Sequence, residues 1–250
     1  RDLVRSRGLG DVYKRQSLGT LGSGNHFIEL DRGSDGSLYL VVHTGSRHLG
    51  AEVAAYYTKL ANACLKEQEK EVPYYMSYLE GENKAAYLED VQIIQRYAEW
   101  NRQIIVREIL KGMKWKAVEQ FSVPHNYLDD SGILRKGAIS ARKGERVVIP
   151  ANMRDGIILG IGKGSAEWND SAPHGSGRKL KRESVKNQYT VSAFKREMKG
   201  IYCSCVSADT LDEAPFAYRS LTEIAEQIKD TVEITEILKP VYNFKAGSKE

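Results

Sequence analysis

Alternating apolar and polar positions open the readable part of the chain. In residues 25–30, His26, Ile28 and Leu30 fall on one side and Asn25, Phe27 and Glu29 on the other, as on a strand. A turn over 31–36 leads to a short apolar strand at 38–42, and the two strands predict a hairpin. The period then changes to that of a helix. Leu49, Val53, Ala54, Tyr57, Leu60, Ala61 and Cys64 predict a helix over 48–66, with Ser46 as its cap. Tyr87, Val91, Ile94, Tyr97, Trp100, Ile104, Ile105 and Ile109 predict a longer one over 83–110, ended by Gly112. Strand-like stretches return at 115–123, 132–141 and 146–149, followed by a loop at 150–154 and a buried strand at 157–161. A basic stretch over 179–199 predicts one or two short helices. Residues 201–206 predict a strand with Cys203 and Cys205 on one face. A helix over 220–229 and a last strand over 232–242, interrupted by Pro240, complete the pattern.

Strands and helices are interspersed without regular βαβ alternation, and hairpins are frequent. That predicts an α+β fold with mixed or antiparallel sheets and flanking helices. Residues 17–250 are expected to form one domain. Residues 1–16 have no clear periodicity, and a chain that opens on Arg1 rather than Met reads as a fragment. The 250 residues suffice for a sizeable core, and 28% charged residues is ordinary for a globular protein. No apolar run approaches the ~20 residues of a membrane span, and the N-terminus lacks the apolar core of a signal peptide. Three cysteines without framework spacing point to a reducing, cytoplasmic setting and to buried thiols. The net charge of +4 is mild, compatible with nucleic acid without arguing for it. The basic stretch is either a solvated face or an approach path for RNA.

The chemistry gathers on histidine. Four of the five, His26, His43, His125 and His174, sit at strand ends or in Gly-rich loops, each near Asn, Ser, Thr or Arg. Imidazoles suit a borderline divalent ion, but the spacings are long and match no zinc finger, so tertiary folding would have to assemble the site. His174 stands apart because Gly175, Ser176, Gly177 and Arg178 follow it. Such glycines let backbone N–H groups approach a ligand, and a guanidinium fork suits phosphate. Arg47, Lys136 and Lys245 are further candidates for phosphate. Glu29 could accept the two adjacent N–H donors of a guanine edge.

At this point the motifs carry a resemblance. GTLGSGNHFIE at 19–29, VVHTGSR at 41–47, VPHNY at 123–127, RKGA at 135–138, HGSGR at 174–178 and DEAPFAY at 212–218 resemble, in order, the motifs of the RtcB family of RNA-splicing ligases. The resemblance covers nearly all of residues 17–245. It implies the family's layered fold and a ligase that joins RNA 2′,3′-cyclic phosphate or 3′-phosphate ends to 5′-hydroxyl ends, using GTP and Mn²⁺, two ions in intact members. It implies His174 as the nucleophile that forms a histidine–GMP intermediate, and His26, His43 and His125 as metal ligands. Asn25, Glu29, Tyr218 and Lys245 would contact the guanylate, and Gly175, Gly177 and Arg178 the phosphate. Archease, which some members use, is an implied partner. Two departures stand out. No Asp-x-x-Cys element occurs in residues 1–16 to supply the family's metal-bridging cysteine, and Pro150-Ala151-Asn152-Met153-Arg154 replaces the common Pro-Gly-Ser-Met-Gly loop. The residues leave two rival readings open: a metal-dependent phosphoesterase acting on RNA ends, and an inactive fragment that binds nucleotide or RNA.

Overall fold

The computed structural model describes residues 17–246, so the departure noted in residues 1–16 lies outside it. The fold is α+β, as the pattern of elements predicts. Two compact units form, one from residues 17–20 and 44–115, the other from 21–43 and 116–246.

The first unit is built on two helices that pack together, α1 (Arg47–Glu67) and α2 (Gly81–Met113), with a 3₁₀ turn at Tyr74–Met76. Val53, Tyr57, Ala61 and Leu65 are the buried stripe of α1. On α2 the buried side chains are Asp90, Asn101 and Ile105. Each buried polar group is answered: Tyr57 donates to Asp90 at 2.8 Å, and Asn101 accepts from Gly19 N–H and donates to the Thr20 and Gly45 carbonyls. Two cap expectations fail. Ser46 makes no capping bond, and Gly112 lies within α2. The helix ends at Lys114, whose φ of 56° lets it and Trp115 close on the Lys111 and Leu110 carbonyls.

The second unit is organised by a sheet. Its strands are β1 (Phe27–Arg32), β2 (Leu38–His43), β6 (Arg146–Asn152), β7 (Gly156–Gly162), the two-residue β9 (Tyr202–Cys203) and β10 (Val232–Phe244). The order is β2-β1-β10-β7-β6, antiparallel throughout, with β9 parallel to β10. The 13-residue β10 pairs with the β6–β7 hairpin through its first half and with the β1–β2 hairpin through its second. Pro240 is tolerated because it sits beside a bulge, opposite Asp31, where the ladder is already irregular. Pro150 likewise sits by a bulge on the edge strand β6, so residues 150–152 continue a strand where a loop was expected. One face packs Val147, Ile149, Ile158 and Val232 against Ile224 and Ile228 of the helix α5 (Leu221–Ile228). The other carries Phe27, Ile157 and Leu238.

Two small ladders complete the unit. β3 (Asn126–Leu128) pairs with β4 (Leu134–Lys136), and β5 (Ala138–Ser140) pairs with β8 (Ser171–Pro173). The expected continuous strand at 132–141 is broken at Gly137, whose φ of +66° turns β4 into β5. The basic stretch forms α3 (Arg182–Gln188) and α4 (Val191–Glu197). Two expected strands differ. Residues 116–123 form none, because no neighbouring strand pairs with their backbone; Phe121 instead lies exposed under the Arg146 guanidinium, 4.0 Å away. The strand at 201–206 shrinks to β9, since Ser204 and Cys205 enter a turn. Among the described residues no helix is long and apolar enough to cross a membrane.

Replacing Asn101 with Ala would orphan the Gly19 N–H and two carbonyls in the first unit. Unsatisfied buried groups cost about 1–3 kcal/mol each. The expected loss of at least about 2 kcal/mol is read from the shift of the urea midpoint.

Candidate active site

The register of the large sheet sets one end of the site. Phe27 pairs with His43, and Glu29 pairs with Asn243. The end of β1, the end of β2 and the end of β10 therefore deliver His26, His43 and Lys245 to the same edge. Phe27 stacks on His43 with rings 5.2 Å apart and 3° from parallel, and the Lys245 ammonium lies 5.3 Å from the centre of the Phe27 ring. The Glu29 carboxylate accepts from the Asn243 amide at 2.6 Å.

The small ladders set the other end. His125 immediately precedes β3 and His174 immediately follows β8. Gly137, between β4 and β5, joins them. Its N–H donates to the Asn126 side chain at 2.9 Å, and Ala138 N–H donates to the His125 carbonyl at 3.3 Å. The Gly137 carbonyl accepts from His174 Nδ1 at 2.6 Å. A carbonyl can only accept, so Nδ1 carries the proton and Nε2 keeps its lone pair.

These ends meet in a row of four rings. The centroid spacings are 5.9 Å from His26 to His43, 5.0 Å from His43 to His125 and 4.6 Å from His125 to His174. The four histidines singled out in the sequence are thus brought together. Burial, then the neighbouring imidazoles and Lys245, hold His43 well below the usual histidine range, which keeps it neutral and a competent metal ligand. The rings of His43, His125 and His174 stack side by side, however. Among the described residues no three His, Cys, Asp or Glu side chains close on a common point that could hold an ion. The donor chemistry suits a borderline divalent ion; the arrangement of the rings in this structure does not form its coordination shell.

The loop after His174 is fixed by its contacts with β6. Ser176 donates to the Pro150 carbonyl through its N–H at 3.1 Å and to the Ala151 carbonyl through its hydroxyl at 2.5 Å. The divergent segment 150–154 therefore backs the His174 loop. A side chain at Gly175 would press on the Pro150 carbonyl, and one at Gly177, with φ +67°, would meet Arg219 at 2.8 Å. Arg178 is committed to the protein: its guanidinium donates to the carbonyls of Leu180 and Asp212, to Glu213 and to the Tyr218 hydroxyl.

Glu213 is the hub that the sequence reading did not single out, although it lies in the DEAPFAY motif. It is buried and faces three cations, Arg178 at 3.3 Å, Arg182 at 2.5 Å and Lys245 at 3.3 Å, and it accepts from the Tyr218 hydroxyl. Burial and Glu213 raise the Tyr218 phenol above its ordinary range, so it stays a donor. Lys245 reaches the Asn25 carbonyl as well, at 3.5 Å. The nucleotide candidates Asn25, Arg178, Tyr218 and Lys245 are thus linked through one carboxylate. Glu29 has a buried neighbour on the same strand face, Asp31. Burial and then Asp31 push the Glu29 carboxyl well above the carboxylate range, and burial lifts Asp31 to about 6. Glu29 Oε1 and both Asp31 oxygens lack a donor from the described protein, as two facing acceptors do until one carries a proton. Lys136 lies exposed on β4, and Arg47 begins α1 in the other unit.

Residues 10–246 match the family model described as tRNA-splicing ligase RtcB. The chain is 30% identical over 247 residues to RNA-splicing ligase RtcB1 and, equally, to RNA-splicing ligase RtcB, both of Escherichia coli, covering 90% of this chain and 60% of each relative. It is 27% identical over 269 residues to tRNA-splicing ligase RtcB of Pyrobaculum aerophilum, covering 85% of this chain and 56% of that protein. The chain spans 56–60% of the length of these curated relatives.

Two predictions follow from the histidine row. Nitrogen-15 NMR should find His174 as the Nδ1–H tautomer. In Gly137→Ala, where the left-handed backbone costs roughly 1–2 kcal/mol, the Nε2–H form should gain population. Second, the unfolded chain takes up a proton at the position of His43 near pH ~6.5 that the native state refuses. The unfolded state then binds more protons, so stability falls as pH drops below about 6.5 and is regained above it. Urea midpoints at neutral and mildly acid pH should show this fall, and His43→Gln should show less of it.

Proposed function

The chain belongs to the tRNA-splicing ligase RtcB family, and from that premise and the setting of His174 we propose that it joins RNA 2′,3′-cyclic phosphate or 3′-phosphate ends to 5′-hydroxyl ends with GTP as co-substrate. One observation carries the reading: the Gly137 carbonyl accepts the hydrogen bond from His174 Nδ1–H, which leaves Nε2 with its lone pair. Nε2 attacks the α-phosphorus of GTP; an N–P bond forms and the bond to pyrophosphate breaks. The hydrogen bond from Nδ1 supports the positive charge that grows on the ring. A cyclic end is first opened by water, which forms a P–O bond as the bond to O2′ breaks and O2′ takes a proton; the guanylate then passes to the RNA 3′-phosphate, and Nε2 leaves as neutral imidazole. The RNA 5′-hydroxyl finally displaces GMP and closes the phosphodiester.

The other residues bind and orient. Glu29 is proposed on the guanine edge, where Oε1 still lacks a donor; burial and then Asp31 favour its protonated form, and guanine N–H donors would draw it toward the carboxylate. Lys245 and Asn25 stand beside it at the sheet edge. Tyr218, held with Arg178 on Glu213, is proposed against the base, and the backbone of Gly175 and Gly177 toward the phosphates. His26, His43 and His125 carry the imidazole donors that Mn²⁺ would take; because they do not close on one point in this arrangement, the rings would have to turn for it to bind, and once bound it would neutralise charge on the triphosphate oxygens.

Incubation with α-labelled GTP and Mn²⁺ tests the reading. The expected result is an acid-labile label on the protein that falls to background in His174→Ala. Glu29→Ala should weaken GTP binding by about fivefold to thirtyfold, the scale of one to two lost hydrogen bonds of about 1 kcal/mol each. Absence of label, together with hydrolysis of a cyclic phosphate end, would replace ligation with a phosphoesterase activity.

A further inference from the structure

Cys203 and Cys205 are not used by this chemistry, yet they sit against it. Cys203 ends β9, paired in register with Asn243, the residue that donates to Glu29. The turn at Ser204 brings Cys205 back so that the two sulfurs lie 3.0 Å apart. Cys205 Sγ accepts from the Lys245 backbone N–H at 3.2 Å. From Cys205 the chain runs through Thr210, which donates to the Cys205 carbonyl, to Glu213, the ion partner of the Lys245 side chain. The pair therefore adjoins both attachments of Lys245.

At this separation either sulfur can donate to the other. The contact with Cys203, the Lys245 N–H and the Lys245 charge lower the Cys205 thiol to about 7, so that a share of it is thiolate at neutral pH, while the same contact and burial push the Cys203 thiol up. Cys205 is buried and Cys203 is partly exposed, so a small oxidant reaches the pair from the Cys203 side. A disulfide bond measures about 2.05 Å, so the sulfurs need to close by about 1 Å. Cys64, the third cysteine, belongs to the other unit.

We propose that Cys203 and Cys205 form a redox modification site, a dithiol that a hydroperoxide closes to a disulfide, and that closure weakens nucleotide binding at Lys245. The Cys205 thiolate attacks the peroxide; an S–O bond forms, the O–O bond breaks, and the departing oxygen is protonated. The Cys203 sulfur then attacks the Cys205 sulfur. The S–S bond forms, the S–O bond breaks, and hydroxide leaves with the Cys203 proton as water. Two thiols are oxidised and one peroxide is reduced. Closure removes the anionic acceptor from the Lys245 N–H and draws on the turn that leads to Glu213. This effect on nucleotide rests on the reading of Lys245 and Glu29 given above; the chemistry of the sulfurs does not.

The test treats the whole chain with limiting hydrogen peroxide and measures its intact mass. The expected product is lighter by two hydrogens, is reversed by dithiothreitol, persists in Cys64→Ser and is lost in Cys203→Ser and in Cys205→Ser. Added oxygen atoms in place of that loss, or a loss that requires Cys64, would overturn the modification site. GTP titration of the reduced and oxidised chain then reads the coupling. Affinity should fall about tenfold or more on oxidation, the scale of a weakened charge-assisted bond, and should not fall in Cys203→Ser. A disulfide that leaves GTP affinity unchanged overturns the coupling. A reduced chain that does not bind GTP overturns the reading of Lys245 and the coupling with it, while the mass measurement still decides the pair.

Discussion

Backbone pairing along β10 is the constraint on which the larger unit depends. Its 13 residues bond to one hairpin on the way in and to another on the way out, with a bulge in each half. The bulges let a single strand serve two partners without a common register, and one of them accommodates Pro240. Because the C-terminal half is locked against β1, Asn243 must lie across from Glu29, and Lys245 must emerge beside Phe27. The chain reaches its last described residues only after more than two hundred positions, yet these residues complete a site whose first members stand at 25–29.

The histidine end relies on a different device. Gly137 lies in the left-handed region, so β4 ends and β5 begins within one residue, and its peptide group faces both neighbouring ladders. Its N–H fixes the Asn126 side chain and its carbonyl fixes the His174 ring. One backbone carbonyl thus decides which ring nitrogen of His174 keeps its lone pair. The burial that accompanies the ring row keeps His43 neutral, which suits both a ligand and a closely packed neighbour of three other imidazoles.

Charge is handled by concentration on Glu213. One buried carboxylate holds two arginines, a lysine and a phenol, so two of the four cations expected to meet phosphate, Arg178 and Lys245, are already oriented by the protein. The sequence marks Arg178 as a fork suited to phosphate but not its hold on Leu180, Asp212, Glu213 and Tyr218, since a guanidinium looks the same in sequence whatever it bonds. Glu29 and Asp31 show the opposite arrangement, two carboxyls buried on one strand face with few donors.

Local pattern carried much of the outcome. The periods of α1, α2, β1, β2 and β7, the α+β class and the histidines themselves could be read directly, because side-chain periodicity reports the buried face of an element that packs on one side. Residues 116–123 alternated as well and formed no strand, for a strand needs a partner for its backbone and the sequence does not say whether one arrives. Cap positions, the break at Gly137 and the turn that shrank β9 depended on single-residue backbone dihedrals and turn hydrogen bonds that side-chain periodicity does not report. The site divides in the same way. Which residue types could do chemistry, and the motifs that carry them, were written in the sequence. The stacking of four imidazoles, the proton on His174 Nδ1, the hub at Glu213 and the meeting of Cys205 with Lys245 were decided only by the tertiary structure, since each joins groups tens to hundreds of residues apart and exists only when the ladders are in register.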